Sequence, residues 1–346
     1  MMKSVASISS KTKLIGVRIV RKEGLTHPFG DHRSVNQAFP AAIPSKQSDP
    51  FLMCDHFAMA EPHGPVTDPD DYPVGWHPHR GFDICSYLKS GIGRHGDSLG
   101  NRETFETPGI QWMCTGSGVE HAEGGATEKG TVMDGFQIWI NVPSQHKMDD
   151  PKYGTVPTQD LPLVELTSAG DDDGKSATAR VLAGNLLGAQ GPFATIASVE
   201  MVDFELDPSA TVEFDIGPDM DTAMIYVYQG NLFNLNGMGG VKEGYIALLD
   251  AETDMETARA IRLEASEEDL GEDENGKPKK IGVMLFAGKK LNEEIAWHGP
   301  IVMNTQQEIR ETFRELRSGQ FPPKRVPWDY KRLNEFPHAE GKSSEL

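Results

Sequence analysis

Cysteine is scarce in this chain. Three residues in 346, Cys54, Cys85 and Cys114, are too few and too odd in number for a disulfide framework. Each sits in or beside an apolar run, so they read as reduced, buried thiols of a cytoplasmic or nuclear protein. Basic residues are in deficit, 33 Lys and Arg against 52 Asp and Glu, a formal charge of −19. That balance argues against direct binding to nucleic acid, whose phosphates it would repel, but not against binding a protein that itself binds DNA. No apolar run is long enough to suggest a membrane span. No HExxH helix is present to suggest a zinc protease, and the cysteine spacing does not fit a structural zinc site. Before residue 300 no stretch carries a convincing 3.6-residue period. Histidine is absent between His146 and His298, so the second half cannot build a site from imidazoles.

What is present reads as strands. Leu14 to Val20 forms a first strand, a better reading than the acid-free first 22 residues' weak likeness to a transit peptide. Apolar runs at Phe51–Met53, Phe82–Leu88, Gln111–Cys114 and Gly135–Val142, separated by Gly-rich turns, suit strands buried in a barrel or sandwich. The Pro-, Asp- and Gly-rich stretch 60–74 is expected to loop over the mouth of the barrel. A polar linker falls between Pro143 and Ala177. Beyond it, Val202, Phe204 and Leu206 alternate with Asp203 and Glu205, and Val212, Phe214 and Ile216 with Glu213 and Asp215, predicting strands with one wet face. An apolar strand ending at Gly230 repeats the form of the one ending at Gly91, so the second half looks like a copy of the first. The expected domains are 14–145, 178–318 and a C-terminal extension over 319–346. Thr305 and Glu308 offer a capping box to a single helix with Ile309, Phe313 and Leu316 on one face, closed by Gly319. The Pro-rich tail after it is expected to lie as a surface strap.

The chemistry lies between Trp76 and Glu123. In an extended strand residues two apart point the same way, so His77 with His79, and His121 with Glu123, can each aim both members at one centre. Three neutral imidazoles and a carboxylate are about four ligands for a divalent first-row metal, with positions left for water, O2 or substrate.

These blocks resemble the pirin family, a branch of the cupin superfamily. The resemblance is carried by HPHRGFDICSYL from His77, DSLGN from Asp97, PGIQWMCTGSGVEHAE from Pro108, GFQIWINVP from Gly135 and GPIVMN from Gly299, and it spans about residues 14 to 320. It implies an all-β bicupin, two jelly-roll β-barrels with a short C-terminal helix, and one iron ion held by His77, His79, His121 and Glu123 in the first barrel alone. It further implies O2-dependent opening of a flavonol ring, as in quercetin 2,3-dioxygenases, with Glu123 as general base. Trp76, Phe82, Trp112 and Met113 would then line a flat aromatic substrate, unless they are simply barrel core. The alternative it implies is an iron- and redox-dependent co-regulator that binds a transcription factor. A sugar-binding or isomerase cupin is disfavoured, since no basic cluster offers a phosphate site. Arg80 is expected to pair with an acid such as Asp83 or a backbone carbonyl, and His95 to be an exposed turn histidine rather than a donor behind the ligands.

Overall fold

A computed structural model describes residues 13–24, 27–29, 32–57, 72–126, 133–168, 175–251, 259–273 and 276–332; for 27–29, 32–34 and 125–126 it describes the backbone alone. The chain forms two compact units that are not consecutive in sequence. One comprises residues 25–37, 51–160 and 291–346, the other residues 1–24, 38–50 and 161–290. The first strand, Val17–Lys22, therefore pairs with Tyr245–Leu249 in the histidine-poor unit, and the terminal helix belongs to the histidine-rich one.

The histidine-rich unit has a seven-stranded sheet in the order Lys152–Val156, Gly109–Cys114, Phe82–Ser90, Asp134–Asn141, Phe51–His56, His32–Phe39 and His27–Phe29. A four-stranded sheet, Val74–His79, Val119–Ala126, Ile92–Asp97 and Arg102–Phe105, packs against it. Leu52, Phe82, Met113 and Trp139 from the first sheet and Val119 from the second share one buried cluster. Among the described residues the ladders end in edge strands, so the jelly roll is two facing sheets, the sandwich form of the expected barrel or sandwich. Val74–His79 is such an edge, which is where Pro78, lacking an N–H, can be accommodated.

The other unit repeats the plan. Its seven-stranded sheet runs from Val17–Lys22 to Leu163–Thr167, and Thr211–Asp215, Ala260–Ala265 and Leu232–Leu235 form a second sheet. Aliphatic side chains such as Val202, Ile225, Leu263 and Val283, with Phe204 and Phe214, fill its interior. The alternation predicted for Thr211–Asp215 is present. Val199–Leu206 differs: Asp203 is buried and accepts a 2.6 Å hydrogen bond from Tyr228 Oη, because this strand lies inside the sheet with both faces covered.

The helix spans Gln306–Ser318 with the Thr305/Glu308 capping box and Gly319 in the left-handed conformation. Arg80 ties it to the histidine strand. Its guanidinium is buried, donating to Ser117 O at 2.7 Å, Thr312 Oγ1 at 2.8 Å and Glu315 Oε2 at 2.5 Å, so its acid is Glu315 and not Asp83. Gly81, next in the chain, has φ of +89° and lies so close to Val302 O that a Cβ would sit 2.1 Å from it. The tail is a strap as far as it is described: Phe321 is buried under Arg80, Val326 N donates to Ser98 O, and Tyr330 Oη donates to Glu120.

Candidate metal centre

Antiparallel pairing sets the site. Val74–His79 pairs with Val119–Ala126 so that His121 lies opposite His77, and a register shift before Glu123 brings that residue opposite Val74. The ligand atoms of His77, His79 and His121 all lie within 4.8 Å of one another. His77 Nε2 and His121 Nε2 are 3.0 Å apart, and Glu123 Oε1 is 3.9 Å from His121 Nε2. The three histidines and Glu123 thus converge, although Glu123 stands outside the tight imidazole group.

Local hydrogen bonds aim the rings. His77 Nδ1 is 2.7 Å from Gly75 O and His79 Nδ1 is 3.2 Å from Pro300 O. A carbonyl only accepts, so both rings carry a proton on Nδ1, which leaves Nε2 as the atom each can offer to a metal. Burial holds the pKa of His79 well below its ordinary value, with His77 adding to the effect and the Pro300 carbonyl opposing it. Burial, then His77, His79 and His95, do the same for His121. Neutral imidazoles are the ligating form.

Glu123 is buried, and burial raises its pKa against the opposing effects of His77, His95, Gln137 and Gln111. Gln137 Nε2 donates to Oε1 at 2.7 Å and Gln111 Nε2 to Oε2 at 3.0 Å. Those amides are fixed in turn: Ser86 Oγ donates to Gln137 Oε1, and Tyr153 Oη donates to Gln111 Oε1 at 3.2 Å. The sequence reading missed this clamp, yet its signal is visible as single polar residues, Ser86, Gln111 and Gln137, inside otherwise apolar strands.

The donor set fits a transition-metal ion. Two imidazole nitrogens bound at about 2.1 Å and at right angles would stand about 3.0 Å apart, the separation found between His77 and His121. Two facing lone pairs at that distance repel unless a cation or a proton lies between them. His77 is only half-buried, which leaves the centre an open side. Among the described residues no second group of three such ligands forms, and the other unit is filled with apolar side chains. Metal analysis of the purified chain is expected to give one equivalent; a second tight equivalent, lost on a substitution between residues 180 and 300, would overturn this.

His95 is not an exposed turn residue. It is fully buried, its Nε2 lies 3.0 Å from Asp97 Oδ2, its ring stacks on Tyr153 at 3.9 Å, and it stands opposite Glu123 across the strands. Asp97 also accepts from the backbone of Leu99 and Asn101, so the turn is pinned from inside. Of the four expected lining residues, two face the site. The Phe82 ring meets His79 edge-on at 5.4 Å, and Met113 shares its cluster. Trp112 lies on the other face, donating to Asp83 Oδ2 at 3.0 Å, and Trp76 turns outward to Tyr72 and Tyr330. Trp139, 5.3 Å from His79 and 4.5 Å from Phe82, takes their place. The stretch 60–74, with its expected lid and His63, lies outside the described residues up to Asp71.

Behind the site Asp83 is buried, which pushes its pKa up to about 6 against hydrogen bonds from Trp112 and Cys114 and the charges of Lys147 and Lys152. Burial and Asp83 also raise the thiol pKa of Cys85 and Cys114, which disfavours the reactive thiolate. Because the folded chain holds the Asp83 proton more tightly, the carboxyl's stabilising contribution is complete below the ordinary 3.8 and is lost as pH rises through about 6. The gap is worth about 3 kcal/mol. Asp83→Asn is therefore expected to gain stability relative to wild type between pH 4 and pH 7, read from denaturant melts; parallel pH curves would refute it.

A family model described as Pirin matches residues 32–140, and one described as Pirin C-terminal cupin domain matches residues 201–322. Pirin from Homo sapiens is 33% identical over 274 residues, 79% of this chain and 83% of that one. The structure of a quercetin 2,3-dioxygenase from Acinetobacter baumannii is 27% identical and covers 89% of this chain and 99% of that one, with a TM-score of 0.74. A bacterial pirin from Escherichia coli, solved in complex with nickel(II), shares the fold at 19% identity and TM-score 0.52, over 79% of this chain and 99% of that one.

Proposed function

Since the chain belongs to the pirin family, we propose that it holds one iron ion through His77, His79, His121 and Glu123 and opens a flavonol ring with O2, as a quercetin 2,3-dioxygenase does. The convergence of three imidazoles with an amide-clamped carboxylate is the observation that carries this reading. Bound there, iron would supply Lewis acidity toward the flavonol oxygens and a one-electron route to O2. The chain's own residues supply the rest. Phe82 and Trp139 offer flat walls beside His79, and the open side at His77 admits a planar ligand. Glu123 takes the flavonol hydroxyl proton, and Gln111 and Gln137 keep its carboxylate turned to the centre.

A second reading has its own support. His79 leans on Pro300 O and its neighbour Arg80 on Thr312 and Glu315, so a change in ligand geometry has a path to the helix and the strap. That is the linkage an iron- and redox-dependent co-regulator of a transcription factor needs, in the cytoplasm or the nucleus. No helix among the described residues is long and apolar enough to cross a membrane. Iron analysis followed by quercetin turnover with and without O2 separates the readings: iron with O2-dependent turnover supports the enzyme, iron without turnover the co-regulator.

A further inference from the structure

Next to Glu123, within the histidine-rich unit, lies a partly open cavity of about 30 Å³. Phe57, Val74, Leu88, Phe105 and Met133 supply apolar wall, and Glu123, Ser86, Gln111 and Gln137 close its inner end. We propose that this cavity is a binding site for a small apolar gas, holding O2 one carboxylate away from the histidine cluster.

Size decides the class of ligand. A cavity must offer about 10–15 Å³ on this scale to hold one water, and a cavity of about 150 Å³ takes benzene. At 30 Å³ there is room for a diatomic molecule but not for an aromatic ring. Polarity decides against water, which needs two to four polar partners. Most donors at the inner end are engaged with one another: Gln111 Nε2 bonds Ser86 Oγ and Glu123, Gln137 Nε2 gives one of its two N–H groups to Glu123, and the Ser86 hydroxyl bonds Gln137 Oε1. Arg94 contributes to the wall, but its guanidinium lies over the Tyr72 ring, 5.0 Å from the centroid. An apolar guest loses nothing by entering, whereas a water would exchange its bulk partners for the few groups the inner end leaves over, one Gln137 N–H and spare oxygen lone pairs, with apolar wall on its other sides. Apolar cavities take up xenon.

That the gas is O2 rests on the dioxygenase reading; the capacity for a gas does not. Xenon is therefore the probe, applied under pressure to crystals of the metal-loaded chain and located by its anomalous scattering. One xenon is expected in the cavity of the wild type and none in Val74→Phe, a substitution at a half-buried wall residue that fills the space. Leu88→Ala, which enlarges the space, should raise xenon occupancy and serves if Val74→Phe does not fold. With quercetin, Val74→Phe should raise KM for O2 severalfold and leave kcat at saturating O2 unchanged. No xenon in the wild type, full occupancy in Val74→Phe, or unchanged occupancy in Leu88→Ala would overturn the site. Xenon in place with no quercetin turnover would instead defeat the dioxygenase reading and leave the gas site standing.

Discussion

Replacing His121 by alanine is expected to abolish tight metal binding and to leave most of the fold. His121 is the hub of the cluster: its ring centroid lies 4.4 Å from that of His77 and 4.9 Å from that of His79, and its Nε2 is the imidazole atom facing Glu123. Without it two imidazoles and a carboxylate remain, and the loss of affinity should exceed the 10- to 100-fold, roughly, that accompanies removal of a residue merely supporting a ligand. The fold depends on it far less. Its strand is paired on both sides, to Val74–His79 and to Ile92–Asp97, and Val119 on that strand packs into the core shared with the larger sheet. His121 Nδ1 is buried with no hydrogen-bond partner, so the substitution breaks no bond there and removes a desolvated polar group. Chelator competition measures the affinity, and thermal melts of metal-free wild type and variant measure the fold. A variant that keeps full metal would refute the ligand assignment; one that cannot fold while the metal-free wild type does would make His121 structural in its own right.

The positions the sequence revealed and those it hid divide along one line. Period-two spacing within a strand is local, so HPH and HAE announce a shared face before any partner strand is known. The helix was equally legible, since Thr305, Glu308 and Gly319 are fixed by local hydrogen bonds. Distant pairing was not. Arg80 finds Glu315 across 235 residues, and His79 finds Pro300 O across 221. Neither separation leaves a periodic trace. The first strand likewise crosses to the other unit's sheet, because an edge can be extended by any strand of matching pattern. His95 is hidden from the sequence because a Gly- and Asp-rich turn ordinarily faces water; here Asp97 turns inward and caps that turn, taking the histidine with it. Alternation along Gly109–Cys114 could have corrected one point: if Gln111 and Met113 face the site, Trp112 between them cannot.

Glu123→Gln is expected to cost about 10²–10⁴ in quercetin turnover if Glu123 is the general base, while retaining part of the metal through the three imidazoles and the amide oxygen. The surroundings sharpen that expectation. Both carboxylate oxygens accept from amide nitrogens, Oε1 from Gln137 and Oε2 from Gln111. A glutamine at 123 has one oxygen and one NH₂, so one of those donors must face another donor. Neither neighbour turns over freely, because Ser86 donates to Gln137 Oε1 and Tyr153 to Gln111 Oε1. One buried hydrogen bond is thus lost, at about 1–3 kcal/mol of stability, set against the removal of a carboxylate whose pKa burial already raises. The electrostatic consequence has a definite sign. An anionic ligand favours the more highly charged ion, so its neutral replacement should raise the Fe(III)/Fe(II) reduction potential. Under the co-regulator reading the raised potential is the main effect, since there is no turnover to lose. Iron content, turnover and potential measured on one preparation separate the roles: full metal with unchanged turnover would eliminate Glu123 as the base, and an unmoved potential would eliminate it as an anionic ligand.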